Sequence, residues 1–243
     1  PEATVTPAPV PDPTPTPTDT DSAIAPGVGG GEVVDARRLA DAHVEAIRGR
    51  SYDWSEAANA TTLGENATER TAIGRRLRVE TERRYRLRVV ASWRPGNVSE
   101  FGTNQSRFRR HGGVRQQRYG ALPPVNVTEE FGARPAQVIE RYLAIGNATV
   151  AATRVDGQRY YRVTGTTDRI PVRGELIDYR VEAVIAPSGF VRELAVEYVS
   201  EIDGERRRVR YQFRYTDVGS TTVEVPEWAE HRRSENATVG GQG

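Results

Sequence analysis

The chain has no cysteine and no methionine, and all 34 of its basic residues are arginine. Without cysteine there is no thiol nucleophile, no thiolate metal ligand and no disulfide. A chain of 243 residues can still bury an adequate single core without such cross-links. An excess of one charge is missing too: 34 basic residues face 33 acidic ones, with 28% of residues charged, so no global field draws nucleic acid. No apolar run approaches the roughly 18 residues that a membrane-spanning helix requires. The chain starts at Pro1, and the expectation is a mature product whose signal segment has been removed.

Catalytic signatures are also lacking. The three histidines, His43, His111 and His231, lie far apart without ligand-spaced neighbours, so no metal site is expected. There is no Gly-x-Ser-x-Gly turn, phosphate-binding loop or dinucleotide fingerprint. Most Asp and Glu residues alternate with Arg in strand-like segments, a pattern of cross-strand ion pairing. No catalytic residue and no cofactor follow from this reading, which is that of a non-enzymatic protein.

Asparagine is scarce and patterned. Asn59, Asn66, Asn97, Asn104, Asn126, Asn147 and Asn236 are all of the asparagines, and each is followed two places on by Ser or Thr. Such a set would arise by chance on the order of once in a million. The triplets are acceptors for N-linked sugar, which belongs on an exported surface.

Residues 1–31 are rich in Pro, Thr, Asp and Gly and cannot bury enough apolar surface to offset the entropy of ordering, so they are expected to form a disordered tether. Polyproline geometry at about 3.1 Å per residue would let it hold a domain several tens of ångströms from an anchor. Residues 229–243 read as a disordered tail, leaving 32–228 as one folded domain. That domain opens with a helix over 33–48, capped by Asp35 and ended by Gly49, with Leu39, His43, Ala46 and Ile47 on one stripe. His43 on that stripe reads as a core histidine with a hydrogen-bond partner. A second helix begins near Pro135, places Val138, Ile139, Tyr142 and Leu143 together, and stops by Gly146.

Elsewhere the period changes from 3.6 to 2. Leu77 and Val79, then Tyr85, Leu87 and Val89, alternate with arginines and Glu80. Asp156-Gly157 and Asp203-Gly204 are tight hairpin turns joining 147–155 to 158–166 and 190–201 to 205–216. Pro187-Ser188-Gly189 links a strand over 177–185 to the next. The fold class is therefore α+β: an antiparallel meander of about eight or more strands, strongly curved into a half-barrel, with two helices packed on its concave face. On its last long strand Val209, Tyr211, Phe213 and Tyr215 share the dry face, and Arg208, Arg210, Gln212 and Arg214 the wet one. The arginine-rich faces, including Arg84, Arg86, Arg88 and Arg206 to Arg208, could dock anionic head groups, but nearby Glu80, Glu182, Glu193, Glu197 and Glu205 can neutralise them as a solvated sheet face.

The phrases DARRLADAHVEAIRGRSY, NATVAATRVDGQRYYRVTGTT, GFVRELAVEY and FRYTDVGSTTVEVPEW, in that order, resemble the surface lipoproteins of unknown function of halophilic archaea. Those proteins are similar in architecture to the carriers of the Lol lipoprotein pathway and to mycobacterial lipid-binding lipoproteins. The resemblance spans residues 33–228 and rests on structural phrases. It implies an archaeal protein held outside the cytoplasmic membrane, its partner being that membrane, through a lipidated cysteine just before Pro1. It further implies a lipid, or an acyl or isoprenoid chain, in a half-barrel cavity. Tyr161, Tyr179, Val181, Tyr198, Tyr211, Phe213 and Tyr215 are the candidate lining, and an interaction module with these side chains as plain core is the alternative. A pocket of roughly 300 Å³ among them would favour the carrier.

Overall fold

The computed structural model describes residues 23–30, 35–64, 70–94, 96–112, 117–171 and 174–230. The strands are β1 (Tyr52–Leu63), β2 (Arg70–Val79), β3 (Tyr85–Ala91), β4 (Asn97–Gly102), β5 (Arg107–Gly112), β6 (Gln117–Leu122), β7 (Ala148–Val155), β8 (Gln158–Gly165), β9 (Glu175–Ile185), β10 (Val191–Ile202) and β11 (Glu205–Thr216). They form one 11-stranded sheet in the order β6-β5-β4-β3-β2-β1-β11-β10-β9-β8-β7. Two antiparallel meanders, β1 to β6 and β7 to β11, are thus joined where the first strand pairs with the last, with Trp54 opposite Tyr215 and Ala58 opposite Tyr211. The sheet is open, with β6 and β7 at its edges.

The Asp-Gly turns form as the sequence requires. Asp156 and Gly157 have φ of 52° and 77°, and Asp203 and Gly204 have 53° and 79°, the left-handed pair that these residues tolerate best. Helix α1 (Ala36–Ile47) starts at Asp35, whose carboxylate accepts the Arg38 N–H at 2.8 Å, and ends before Gly49 at φ 67°. A third helix joins the expected two: α2 (Val127–Phe131) is a short turn capped by Asn126, running through Gly132 into α3 (Ala133–Tyr142). The last of these stops at Tyr142, short of Gly146.

The three helices among the described residues pack on one face of the sheet. From α1, Leu39, Ala40, His43 and Ile47 join the core, and from α3, Ile139, Tyr142 and the following Leu143. The two helices also touch each other. α2 covers the inner face of the first meander, where Phe131 meets the Tyr85 ring edge-on at 5.3 Å and Glu130 meets Arg107 at 3.1 Å. Within the segment read as a tether, residues 23–30 make a turn whose Ala25 and Val28 are buried against this core.

The opposite face is covered locally as well. Phe101 and Phe108, directly paired on β4 and β5, are buried beneath Val223, Val225, Trp228 and Ala229. Val223 accepts from the Arg84 guanidinium and donates to Glu80, which fixes this strap across β3.

Candidate functional site

Register brings most of the candidate lining together. Tyr179 on β9 stands opposite Tyr198 on β10, Val181 opposite Val196, and Val196 in turn opposite Tyr211 on β11. Phe213 and Tyr215 continue the inner face of β11 toward α1. These six side chains are buried, their rings against the helices. Tyr142 of α3 lies over the rings of Tyr198 and Tyr211 at 6.3 and 5.7 Å, and its carbonyl accepts the Tyr179 hydroxyl at 2.5 Å. Tyr161 stands apart on β8, half-buried, with the Arg159 guanidinium over its ring at 5.1 Å.

The α1 end of the layer is organised by His43. Its Nδ1 accepts the Val191 N–H at 3.1 Å, which assigns the ring proton to Nε2, donated to the Tyr215 hydroxyl at 3.1 Å. The imidazole also stacks on Phe190 with centroids 5.7 Å apart. Complete burial lowers its pKa to about 3, so the ring is neutral at physiological pH. Burial likewise raises the hydroxyl pKa of Tyr52, Tyr179, Tyr198, Tyr211 and Tyr215 above the usual phenolic value.

Where α3 meets the sheet, the tie is ionic. Glu56 of β1 points inward, fully buried, and its carboxylate takes the Arg134 guanidinium from α3 and Arg75 from β2 at 3.0 Å. The Tyr211 hydroxyl lies beside Glu56, and the buried Trp54 Nε1–H on the same inner face has no hydrogen-bond partner among the described residues. A second buried carboxylate, Glu100, accepts the Tyr85 hydroxyl at 2.5 Å and Arg109 at 2.7 Å.

The aromatic layer is filled. A cavity of about 220 Å³ reaches Tyr179 and Tyr198 at its margin, among Arg180, Glu197 and Arg208. Larger clefts lie around the sheet: about 820 Å³ beside Arg50, Arg159, Tyr160 and Arg192, about 610 Å³ reaching Tyr179 beside Leu176 and Ile177, about 560 Å³ reaching Val181 beside Ala148 and Arg180, and about 400 Å³ over Ser55, Ala195 and Gln212. Tyr142, Phe190 and His43 pack ring on ring against the Tyr and Phe side chains of the candidate lining. Of these partners, Tyr142 and His43 were legible as helix-stripe positions. Phe190, Trp54 and the Glu56–Arg134 pair carried no local signal. Among the described residues no group of three or more His, Asp or Glu is placed to hold a metal ion.

The wet face of the second meander is ion-paired as its alternation requires: Arg206 with Glu201, Arg208 and Arg210 with Glu197, and Arg214 with Glu193. Arg84 pairs with Glu80. None of the glycan acceptors within the described residues is buried. Asn104 lies exposed in the β4–β5 turn, Asn147 exposed just before β7, and Asn59 and Asn97 half-buried on β1 and β4. Asn126 uses its side-chain oxygen to cap α2, accepting Thr128 N–H at 2.9 Å, while its amide donates to Glu82 at 3.3 Å. Asn66, Asn236 and His231 lie outside the described residues, as do most of the expected tether and tail. No helix among the described residues is long and apolar enough to cross a membrane.

No family model matches the chain, and no curated protein matches it. Among solved structures it is similar to LprF from Mycobacterium bovis, at 14% identity and a TM-score of 0.34, over 79% of this chain and 96% of that one. It is also similar to a LolA superfamily protein from Nitrosomonas europaea, at 12% identity and a TM-score of 0.25, over 80% and 96%. A putative outer membrane lipoprotein-sorting protein domain from Vibrio parahaemolyticus follows at 7% identity and a TM-score of 0.24, over 79% and 96%.

Proposed function

We propose that this is a non-catalytic, extracytoplasmic protein that binds an apolar chain, a lipid or an acyl or isoprenoid group, between its aromatic sheet face and the α1/α3 pair. The sheet acts as a half-barrel whose concave side carries the helices. A lipid anchor before Pro1 and sugars on the exposed triplets complete the proposal.

The observation that carries it is the unsatisfied polarity of this layer. Buried polar groups are nearly always hydrogen-bonded, yet the Trp54 Nε1–H faces the inner layer without a partner among the described residues. An occupant with an apolar body and one polar atom would bury against the rings and accept the indole N–H. The layer is also built to part. Its α3 side is held by Ile139, Leu143 and the tilted Tyr142 ring together with one hydroxyl–carbonyl bond and the Glu56–Arg134 pair, so separation wets polar atoms as well as apolar ones. Burial of the ligand would supply about 25 cal/mol per Å² of apolar surface removed from water.

The filled layer itself favours a second reading, an envelope interaction module with no ligand. Intact-mass analysis of protein purified gently from its own envelope separates the two. A stoichiometric apolar passenger, together with sugar and lipid mass, supports the carrier. A bare polypeptide that also takes up no added acyl chain leaves the module.

A further inference from the structure

The described residues include three large hydrophobic side chains that are well exposed, and two of them share one hairpin: Val90, 46% exposed, is next to last in β3, and Trp93, 60% exposed, is in the turn to β4. The turn is held rather than floppy. Ser92 donates its N–H to the Ala72 carbonyl and its hydroxyl accepts the Ala72 N–H, both at 2.8 Å, so β2 braces the tip, and Arg94 N–H closes onto Ala91 at 3.3 Å. The indole of Trp93 thus stands exposed in a braced turn, uncovered by the described residues.

Its neighbours are cationic. Arg86, Arg88 and Val90 alternate outward along β3, and Arg94 follows Trp93 in the turn. Unlike the paired arginines of β10 and β11, Arg86, Arg88 and Arg94 are exposed and have no ion pair among the described residues. Across from them the outward positions of β4 and β5 are Ser99, Phe101, Phe108 and Arg110, none of them acidic. Exposed Glu224 and Glu227 belong to the strap over Phe101 and Phe108, and Phe101 stands opposite Arg86 near the start of β3.

We infer that this hairpin is a membrane-contact site for an anionic bilayer, Trp93 and Val90 entering the head-group region while Arg88 and Arg94 meet lipid phosphates. Indole is suited to that depth because its ring is apolar and its N–H polar, and arginine binds phosphate in a bidentate fork. A single aromatic tip with two or three cations gives reversible, salt-sensitive attachment. Asn97 pairs with Val90 on the same face, so sugar at Asn97 and bilayer contact exclude each other.

The contact does not depend on the apolar-ligand reading, because vesicle binding is scored without uptake of a passenger. The test is flotation of the full chain with large unilamellar vesicles of 7:3 phosphatidylcholine and phosphatidylglycerol, and with phosphatidylcholine alone. The parent should float with anionic vesicles at low salt, at least tenfold less with neutral ones, and with a blue shift in tryptophan emission. Trp93→Ala should lose at least tenfold in partitioning and the shift, and Arg88→Gln/Arg94→Gln several-fold together with the salt dependence. Unchanged thermal unfolding shows that both variants fold. Equal flotation of parent and Trp93→Ala overturns the inference. So does concentration-dependent self-association lost in Trp93→Ala without vesicle binding, which would make a second copy the occupant, or sugar on Asn97 in the native protein.

Discussion

Acid should unfold this protein partly through one side chain. His43 is fully buried, receives the Val191 N–H on Nδ1 and gives its only proton to Tyr215, so a second proton would turn an acceptor into a donor facing a donor. Burial holds its pKa at about 3 in the folded state, against about 6.5 when unfolded. Between those values the unfolded chain binds more protons, so stability is complete above pH 6.5 and is lost as pH falls toward 3. At pH 5 the loss is about 2 kcal/mol relative to neutral pH, with a slope approaching about 1.4 kcal/mol per pH unit below that. In a domain of this size that is a fall of about 4–8 °C in melting temperature. The assay is urea unfolding followed by the emission of buried Trp54 at pH 7, 6 and 5, in the parent and in His43→Gln. His43→Gln is less stable throughout but has nothing to titrate at this position, so carboxylate contributions common to both proteins cancel in the difference. Parallel pH profiles for the two would refute the assignment.

Other perturbations follow from the same packing. Glu56→Ala strands Arg134 and Arg75 at the α3–sheet contact and should cost about 2 kcal/mol, discounted for the part-exposed guanidiniums, read as a lower urea midpoint at unchanged slope. Gly102→Ala would set a methyl 2.1 Å from the buried Tyr85 ring, so it should lose about 2–3 kcal/mol by overpacking, whereas the same substitution at Gly120, with nothing within 4 Å, should be tolerated within about 1 kcal/mol. Glycopeptide mapping of the native protein should find sugar at exposed Asn104 and Asn147 and leave Asn126 bare, because its side chain is committed to the α2 cap and Glu82. Full occupancy at Asn126 would show that α2 is not capped in this way.

What was legible in the sequence was what local physics decides alone. The Asp-Gly pairs demand left-handed backbone, and the alternation of Tyr211, Phe213 and Tyr215 with arginine needs only a sheet with one dry side. β1 was not legible. Its YDWSEAANATTL does not alternate, because Glu56 faces inward to meet an arginine 78 residues away, and its small residues leave no apolar stripe. β4 to β6 were missed for a related reason. Phe101 and Phe108 face outward and are buried only because residues 223–229 cross over them. α2 is five residues long, too short for periodicity to register. Six of the seven candidate lining residues do converge, since register follows from the turns, but whether they enclose space depends on Tyr142, Phe190 and His43 meeting them from elsewhere.

Amide hydrogen exchange of the full chain, with and without a saturating palmitoyl chain, bears most directly on the central proposal. If the layer opens to take an apolar occupant, exchange should change in α1, in α3 and on β9 to β11, with the strap at 223–229 unaffected. Identical exchange in both samples, in a protein shown to be unoccupied at the start, would contradict it.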